Sequence, residues 1–291
     1  MTMHRLTAGA GYQYLLRQTA SGDCDRSAAA DLTAYYTASG NPPGRWFGRG
    51  LGGFGDGGPG AGSQVSEPHM ANLFGQGKHP STGGALGRAY RQYTPAAQRI
   101  ALQVAALPSG LSGDARENAI ATITRIELAK HTPAAIAGFD LTFTATKSIS
   151  TLWAISDEAT RAAILAAHRA AVEQALAFLE DTAAFTRTGT DGCQQHKVDG
   201  LIAAGFDHWD SRAGDPNLHT HLVIANKVQG PRGAWLSVDS RALHHAVVMV
   251  SELYDDLLAD EVARHLPVEF GWRHRSQPRP AEPPGVSSRD Q

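Results

Sequence analysis

His219 and His221 stand two residues apart in LHTHLVIAN (218–226), an apolar run that reads as a strand. Residues i and i+2 of a strand project from the same face, so the two imidazoles point together. His208 lies eleven residues before His219, in GFDHWD, and the segment between them carries Asp215-Pro216-Asn217, a turn sequence. An antiparallel hairpin closed there returns His208 to the neighbourhood of the other two. Three neutral imidazoles at about 2.0–2.2 Å hold a divalent cation and leave coordination positions open, as catalysis requires. An HxH pair alone is a weak signal; the third histidine on the preceding strand makes it a candidate site.

Four of the seven tyrosines, Tyr12, Tyr14, Tyr35 and Tyr36, fall in the first 36 residues. Tyr12 and Tyr14 are spaced i, i+2, which on a helix turns them about 200° apart, so only one can face a given site. Arg45, Trp46, Phe47 and Arg49 form an aromatic-basic cluster suited to stacking unpaired bases, or equally to anchoring the glycine-rich loop that follows. Lys147 and Arg212 are candidate phosphate contacts. Two letter matches carry no chemistry. Gly48–Gly53 fits GxGxxG but follows a Pro-Pro turn, and Gln76-Gly77-Lys78-His79 lacks the rest of a phosphate loop.

Composition narrows the classes. The 291 residues carry 26 Lys+Arg against 28 Asp+Glu, a formal charge of −2, too little for a protein that simply coats duplex DNA. Residues 1–100 nevertheless hold nine Lys/Arg against five Asp/Glu, so a local basic face remains open. Cys24 and Cys193 share no CxxC spacing and build neither a cysteine zinc site nor a disulfide framework. No run of about 18 apolar residues and no secretory leader is visible, which predicts a cytoplasmic protein without a membrane segment.

The elements that must position these residues are of mixed type. Strands are expected at 3–7 and 136–145, the latter with Phe139, Leu141 and Phe143 on one face and Asp140, Thr142 and Thr144 on the other. Helices are expected from the AGAGYQYLLRQTA segment to about Ser21, over 28–38, over 93–107, over 157–181 and over about Ser240–His265. Three further strands, KVDGLIAAGFDHWD, LHTHLVIANKVQ and AWLSVD, are joined by turns at 214–217 and 230–233, hence antiparallel. Residues 48–63 read as a mobile glycine-rich loop outside any core, and 276–291 as a Pro-rich disordered tail. The fold class is α+β, one domain over 1–275 with an antiparallel sheet flanked by helices.

The three-histidine segment resembles the signature of HUH endonucleases, in particular conjugative relaxases of the MobF (TrwC/TraI) type. GFDLTFTATKSIS (138–150) resembles a second motif of that family, YY…GNPPGRWFGRG a third, and MANLFGQGKHP (70–80) a linker of its actinobacterial members. The resemblance implies a palm-like sheet and single-stranded DNA cut at the nic site of a transfer origin. It also implies a divalent metal (Mg²⁺ or Mn²⁺, with Zn²⁺ or others open) and other transfer-complex proteins as partners. It further implies a tyrosine that attacks the phosphodiester and keeps the strand as a 5′-phosphotyrosine. Tyr12, following the AGAG turn, is the expected nucleophile, with Tyr14 in reserve and Tyr35/Tyr36 for a second strand transfer. Gly11-Tyr12-Gln13-Tyr14 departs from the family's usual adjacent pair. Asp140 is expected to hold a metal-binding imidazole or to deprotonate the nucleophile. The family's relaxase domain usually adds further strands and a helicase beyond this point, so a truncated gene or an excised domain is expected. Two rivals stand beside this reading: a three-histidine hydrolase using activated water, and a non-catalytic DNA-binding remnant.

Overall fold

The computed structural model describes residues 1–17, 42–91, 93–130, 134–211 and 213–271. Its centre is a five-stranded antiparallel sheet in the order β1 (Thr2–Thr7), β3 (Ile136–Thr144), β7 (Pro216–Ala225), β6 (Ala203–Asp210), β2 (Arg45–Phe47). The α+β class is as expected. β7 is the middle strand and is buried on both faces from Leu218 to Ala225, which explains the apolar run Leu222–Ala225.

Each face of the sheet carries its own core. On one, Phe139, Leu141 and Phe143 of β3 with Leu218, Leu222 and Ile224 of β7 pack under α6 (Glu158–Ala183) and α7 (Ser240–His265). A shorter helix, α5 (Lys147–Ile155), closes the same side. On the other, Leu6, Trp46, Phe206 and Val223 pack against Leu15 of α1 (Gln13–Arg17). Leu73 and Phe74, from a π-helical turn that continues α2 (Glu67–Met70), complete that core. A second pair of helices, α3 (Ala96–Ala105) and α4 (Gly113–Ala129), packs as a hairpin joined by Arg99 and Gln103 to Glu127.

α6 is alanine-rich and capped by Asp157, whose side chain accepts from the Thr160 N–H at 2.8 Å. Its length and mean hydropathy of 1.3 would suit a membrane span. Two of its buried residues are polar and bonded inside the protein, however, so it serves as a core helix. Glu180 accepts from the backbone N–H groups of Arg49 and Leu201. His168 is fully buried between Tyr254 and Thr220, 2.8 Å from each.

The donors around His168 run in one direction. Thr220 gives its proton to Asp207, so it must accept from His168 Nε2–H, and His168 Nδ1 accepts from the Tyr254 hydroxyl. Asp207 closes the chain on the guanidinium of Arg169 at 2.8 Å. His168 is thus neutral, and burial first, with Arg169 and His219 beside it, holds its pKa down at about 4.

Several expectations change. The 48–63 segment is not outside the core: Arg49–Phe54 forms a 3-10 turn that buries Leu51 and Phe54. It also follows a short strand, β2, but an antiparallel edge strand, so no dinucleotide fold results. Residues 70–80 are no linker, since Met70, Leu73 and Phe74 are wholly buried. α4 and a hairpin of β4 (Phe185–Thr188) with β5 (Gln194–Lys197) were not foreseen. The expected AWLSVD strand is only β9 (Trp235–Leu236), paired with β8 (Val228–Gln229) away from the main sheet. The helix over 28–38 and the 276–291 tail lie outside the described residues.

The His168 network makes a pH prediction. An unfolded chain protonates this imidazole near pH 6.5, whereas the folded one resists to about pH 4. The unfolded state therefore binds the extra proton in that window, and stability falls as pH drops from about 6.5 to 4. His208 and His219, also shifted down, act in the same direction. Urea unfolding between pH 7 and 4 should show the loss, and His168→Gln should reduce it, leaving the part due to His208 and His219; a wild-type midpoint constant over that range would refute the assignment.

Candidate functional site

The antiparallel register sets the histidines face to face. β6 and β7 pair with His208 opposite His219 and Phe206 opposite His221, and β3 adds Thr142 opposite His221. The three imidazole centroids lie 5.0–5.2 Å apart. One ring nitrogen from each comes within 4.8 Å of the others, and all three residues are buried. The expected constellation of His208, His219 and His221 is thus brought together.

The remaining ring atoms are already committed. His219 Nδ1 lies 2.7 Å from the carbonyl oxygen of Asn217, and His221 Nδ1 lies 2.8 Å from Asp140 Oδ2. Each therefore donates from Nδ1 and turns the lone pair of Nε2 to the cluster. His208 Nε2 is buried without a hydrogen-bond partner among the described residues. Burial, then the neighbouring imidazoles, pushes His208 down to about 2; burial also leads the downward shift of His219. A neutral donor set with an orphaned buried nitrogen is what a divalent cation fits.

Asp140 is the hinge of the arrangement. It sits on β3 opposite Val223, 2% exposed, one strand from the ligand histidines. Its Oδ2 accepts from His221 and also from the hydroxyl of Tyr14. The Tyr14 ring stands edge-on to His221 with centroids 6.2 Å apart. Burial first, then the charge and hydrogen bond of Asp140, raises the Tyr14 pKa well above that of a free phenol.

Tyr12 goes elsewhere, contrary to the expectation that it faces the histidines. Its hydroxyl donates to Glu67 Oε1 at 2.6 Å, and burial with that carboxylate raises it to about 12. The reason is the direction of the chain. β1 runs away from the site end of β3, ending with Thr7 opposite Ile136. The chain then turns at residues 8–11 and comes back over the sheet, so the later tyrosine lies nearer the histidines. Gly11 permits that turn, since a Cβ there would sit 2.0 Å from the Thr7 carbonyl oxygen. The divergence expected of an i, i+2 pair holds, with Tyr14, not Tyr12, on the side of the histidines.

The other expected contacts fare unevenly. Trp46 is fully buried, so it offers no face to a base; it is a core residue. Arg49 is held by Glu180 and Asp181, and Arg45 lies 3.9 Å from Asp207 and 5.6 Å from the Phe47 ring. Lys147 pairs with Asp215 and with the Pro216 carbonyl, pinning the turn between β6 and β7. Tyr35, Tyr36 and Arg212 lie outside the described residues. Thr142 and Asn217, which steady His221 and His219, and the Asp207–Thr220 bond behind the histidine strands were not among the expected site features. Polar residues on the inward-facing parity of apolar strands were the available signal.

The family model for the TrwC relaxase matches residues 8–285. The chain belongs to the TrwC relaxase family. The multifunctional conjugation protein TraI of Escherichia coli is 39% identical over 112 residues, 38% of this chain and 6% of TraI. TraI of strain K12 is 38% identical over 104 residues, again 6% of its length. The chain therefore spans only a small part of these relatives. Among solved structures, the metal-bound conjugative relaxase TrwC in complex with oriT DNA superposes with a TM-score of 0.56 at 23% identity, over 90% of this chain and 69% of that one. TrwC with a 27-mer comprising the recognition hairpin and cleavage site gives 0.55 at 22%, over 96% and 72%. The relaxase fold expected from the sequence is thereby shared.

Asp140→Asn should keep the fold but weaken the acceptor that orients His221. Calorimetric titration with Mn²⁺ or Zn²⁺ should show affinity lower by about 10–100-fold, with thermal unfolding of the metal-free protein little changed. Wild-type affinity in the variant would mean that Asp140 does not orient the site.

Proposed function

We propose that this chain is a DNA-nicking relaxase that cleaves one strand at a transfer origin by tyrosine transesterification. The observation that carries the proposal is the Tyr14 hydroxyl donating to the carboxylate oxygen that also holds His221. Phenol, proton acceptor and imidazole cradle are thus in contact before substrate arrives.

Tyr14 Oη attacks phosphorus, and its proton passes to Asp140 Oδ2. The bond to the 3′ oxygen breaks, that oxygen takes up a proton, and the 5′ end stays on Tyr14 as a phosphotyrosine. The phosphodiester energy is kept, so the reverse attack by a 3′-hydroxyl rejoins the strand without ATP. Burial and the Asp140 charge both oppose a free phenolate. His208, His219 and His221 would hold a divalent cation, which would supply the compensating positive charge for the reaction. Mg²⁺ and Mn²⁺ suit a phosphate oxygen, and an all-imidazole cradle also accepts Zn²⁺ or copper. A TrwC structure with copper bound is among the structural relatives. Single-stranded oriT-like DNA is the proposed substrate, with other transfer proteins as partners and the cytoplasm as the site of action.

The test uses a single strand from the DNA beside the gene that carries an inverted repeat and the nic site, with Mg²⁺ or Mn²⁺. Wild-type protein should form an SDS-stable adduct. Tyr14→Phe should lower its rate on the order of 10³-fold or more, whereas Tyr12→Phe should retain it. A free 5′-phosphate with no adduct would point instead to an activated-water hydrolase.

A further inference from the structure

At the opposite end of β7 from the histidines lies a cavity of about 460 Å³. Arg88, Arg187, Lys227 and Arg241 line it together with Asp191 and Asp239. Four cations against two carboxylates is a local excess in a chain of net charge −2.

The charges there are not balanced from within. Lys227 is 4% exposed, yet no carboxylate lies within ion-pair distance of it among the described residues. Its ammonium spends two of its three donors on the carbonyls of Leu86 at 2.7 Å and Arg88 at 2.6 Å, and lies over the Tyr90 ring. Buried lysines are nearly always paired, because an unpaired buried charge is costly. Asp239 cannot serve as its partner: that carboxylate is already shared by Arg187, Gln195 and the Arg241 N–H at the start of α7. Arg88 and Arg241 are exposed and have no acidic partner among the described residues.

We propose that this cavity binds one backbone phosphate of the nucleic-acid strand whose cleavage is assigned above. The proposal rests on that assignment for the identity of the anion. Lys227 supplies the third N–H from below, and Arg88 and Arg241 close over the phosphate from the rim. From His221 to Lys227 is six residues, or about 20 Å of extended chain. That is about six steps of a stacked strand at ~3.4 Å each. Both faces of β7 are covered, so a strand reaching both ends passes over the covering elements and spans at least that many nucleotides; the far phosphate then fixes its register over the histidines.

The probe is a fluorescein-labelled single strand of mixed sequence, titrated by anisotropy across a series of KCl concentrations in EDTA. Removing one phosphate contact should reduce the slope of log Kd against log salt by about 0.7. Arg88→Gln/Arg241→Gln should show that reduction, with affinity roughly tenfold weaker at low salt. Lys227→Met should match it; if that buried variant fails to fold, the exposed double variant decides. Slopes equal to wild type overturn the proposal. So does protection from heat by inorganic phosphate that the variants lose while their DNA slopes stay unchanged, since the cavity would then serve a free anion. If the slopes differ but wild-type protein never forms the Tyr14 adduct, the reaction falls and the phosphate site stands. If the adduct forms and the slopes coincide, the phosphate site alone falls.

Discussion

The pairing of β6 with β7 is the constraint on which the site depends. With His208 opposite His219 and His221 on the same face two residues on, three imidazoles converge without any loop having to place them. A slip of one residue would send the β7 pair to the other face, among Leu222 and Ile224. Two devices oppose that slip. On the far face Thr220 binds Asp207 directly across the strands, and at the turn Lys147 grips Asp215 and Pro216. A register shift between His208 and Asp210 then lets the strand end without disturbing the pair below it.

The same pairing sets the electrostatics. Burying imidazoles side by side disfavours protonation of His208 and His219, as their downward shifts record. Those two rings keep their lone pairs, while the carboxylate of Asp140 faces the cluster from β3 and holds His221. Tyr14 meets the opposite condition: its proton is held more tightly than in water. In the proposed reaction such a phenol would need the positive charge of a bound cation to react, which would couple the chemistry to cation binding.

Much of this was legible in the sequence because it follows from periodicity. Alternation in LHTHLVIAN and GFDLTFT fixed which side chains share a face, and the turn residues between His208 and His219 fixed their return. What stayed hidden has no period. Glycines in 48–63 suggested a loop, but Leu51 and Phe54 are large enough to anchor it in the core. Trp46 looked like a stacking surface because its neighbours are basic. Parity on β2 instead turns it inward beside Phe206, while Arg45 and Phe47 take the other face. α4 has a weakly patterned sequence and buries only Glu127 among its residues, so no apolar stripe announced it.

The placement of Tyr12 and Tyr14 depends on more than local geometry. Helical geometry said that the two phenols diverge, and they do. It could not say which one faces the histidines, because that depends on how the chain leaves β1. The turn at residues 8–11 places Gly9 against the Gly75 carbonyl and sends α1 back across the sheet toward its histidine end. Tyr12 then meets Glu67, and Tyr14, two residues further along, meets Asp140. Each phenol finds a carboxylate, but only one of those carboxylates also touches a candidate ligand. That second contact, supplied by a strand more than a hundred residues away in sequence, is what favours Tyr14 over Tyr12 as the proposed nucleophile.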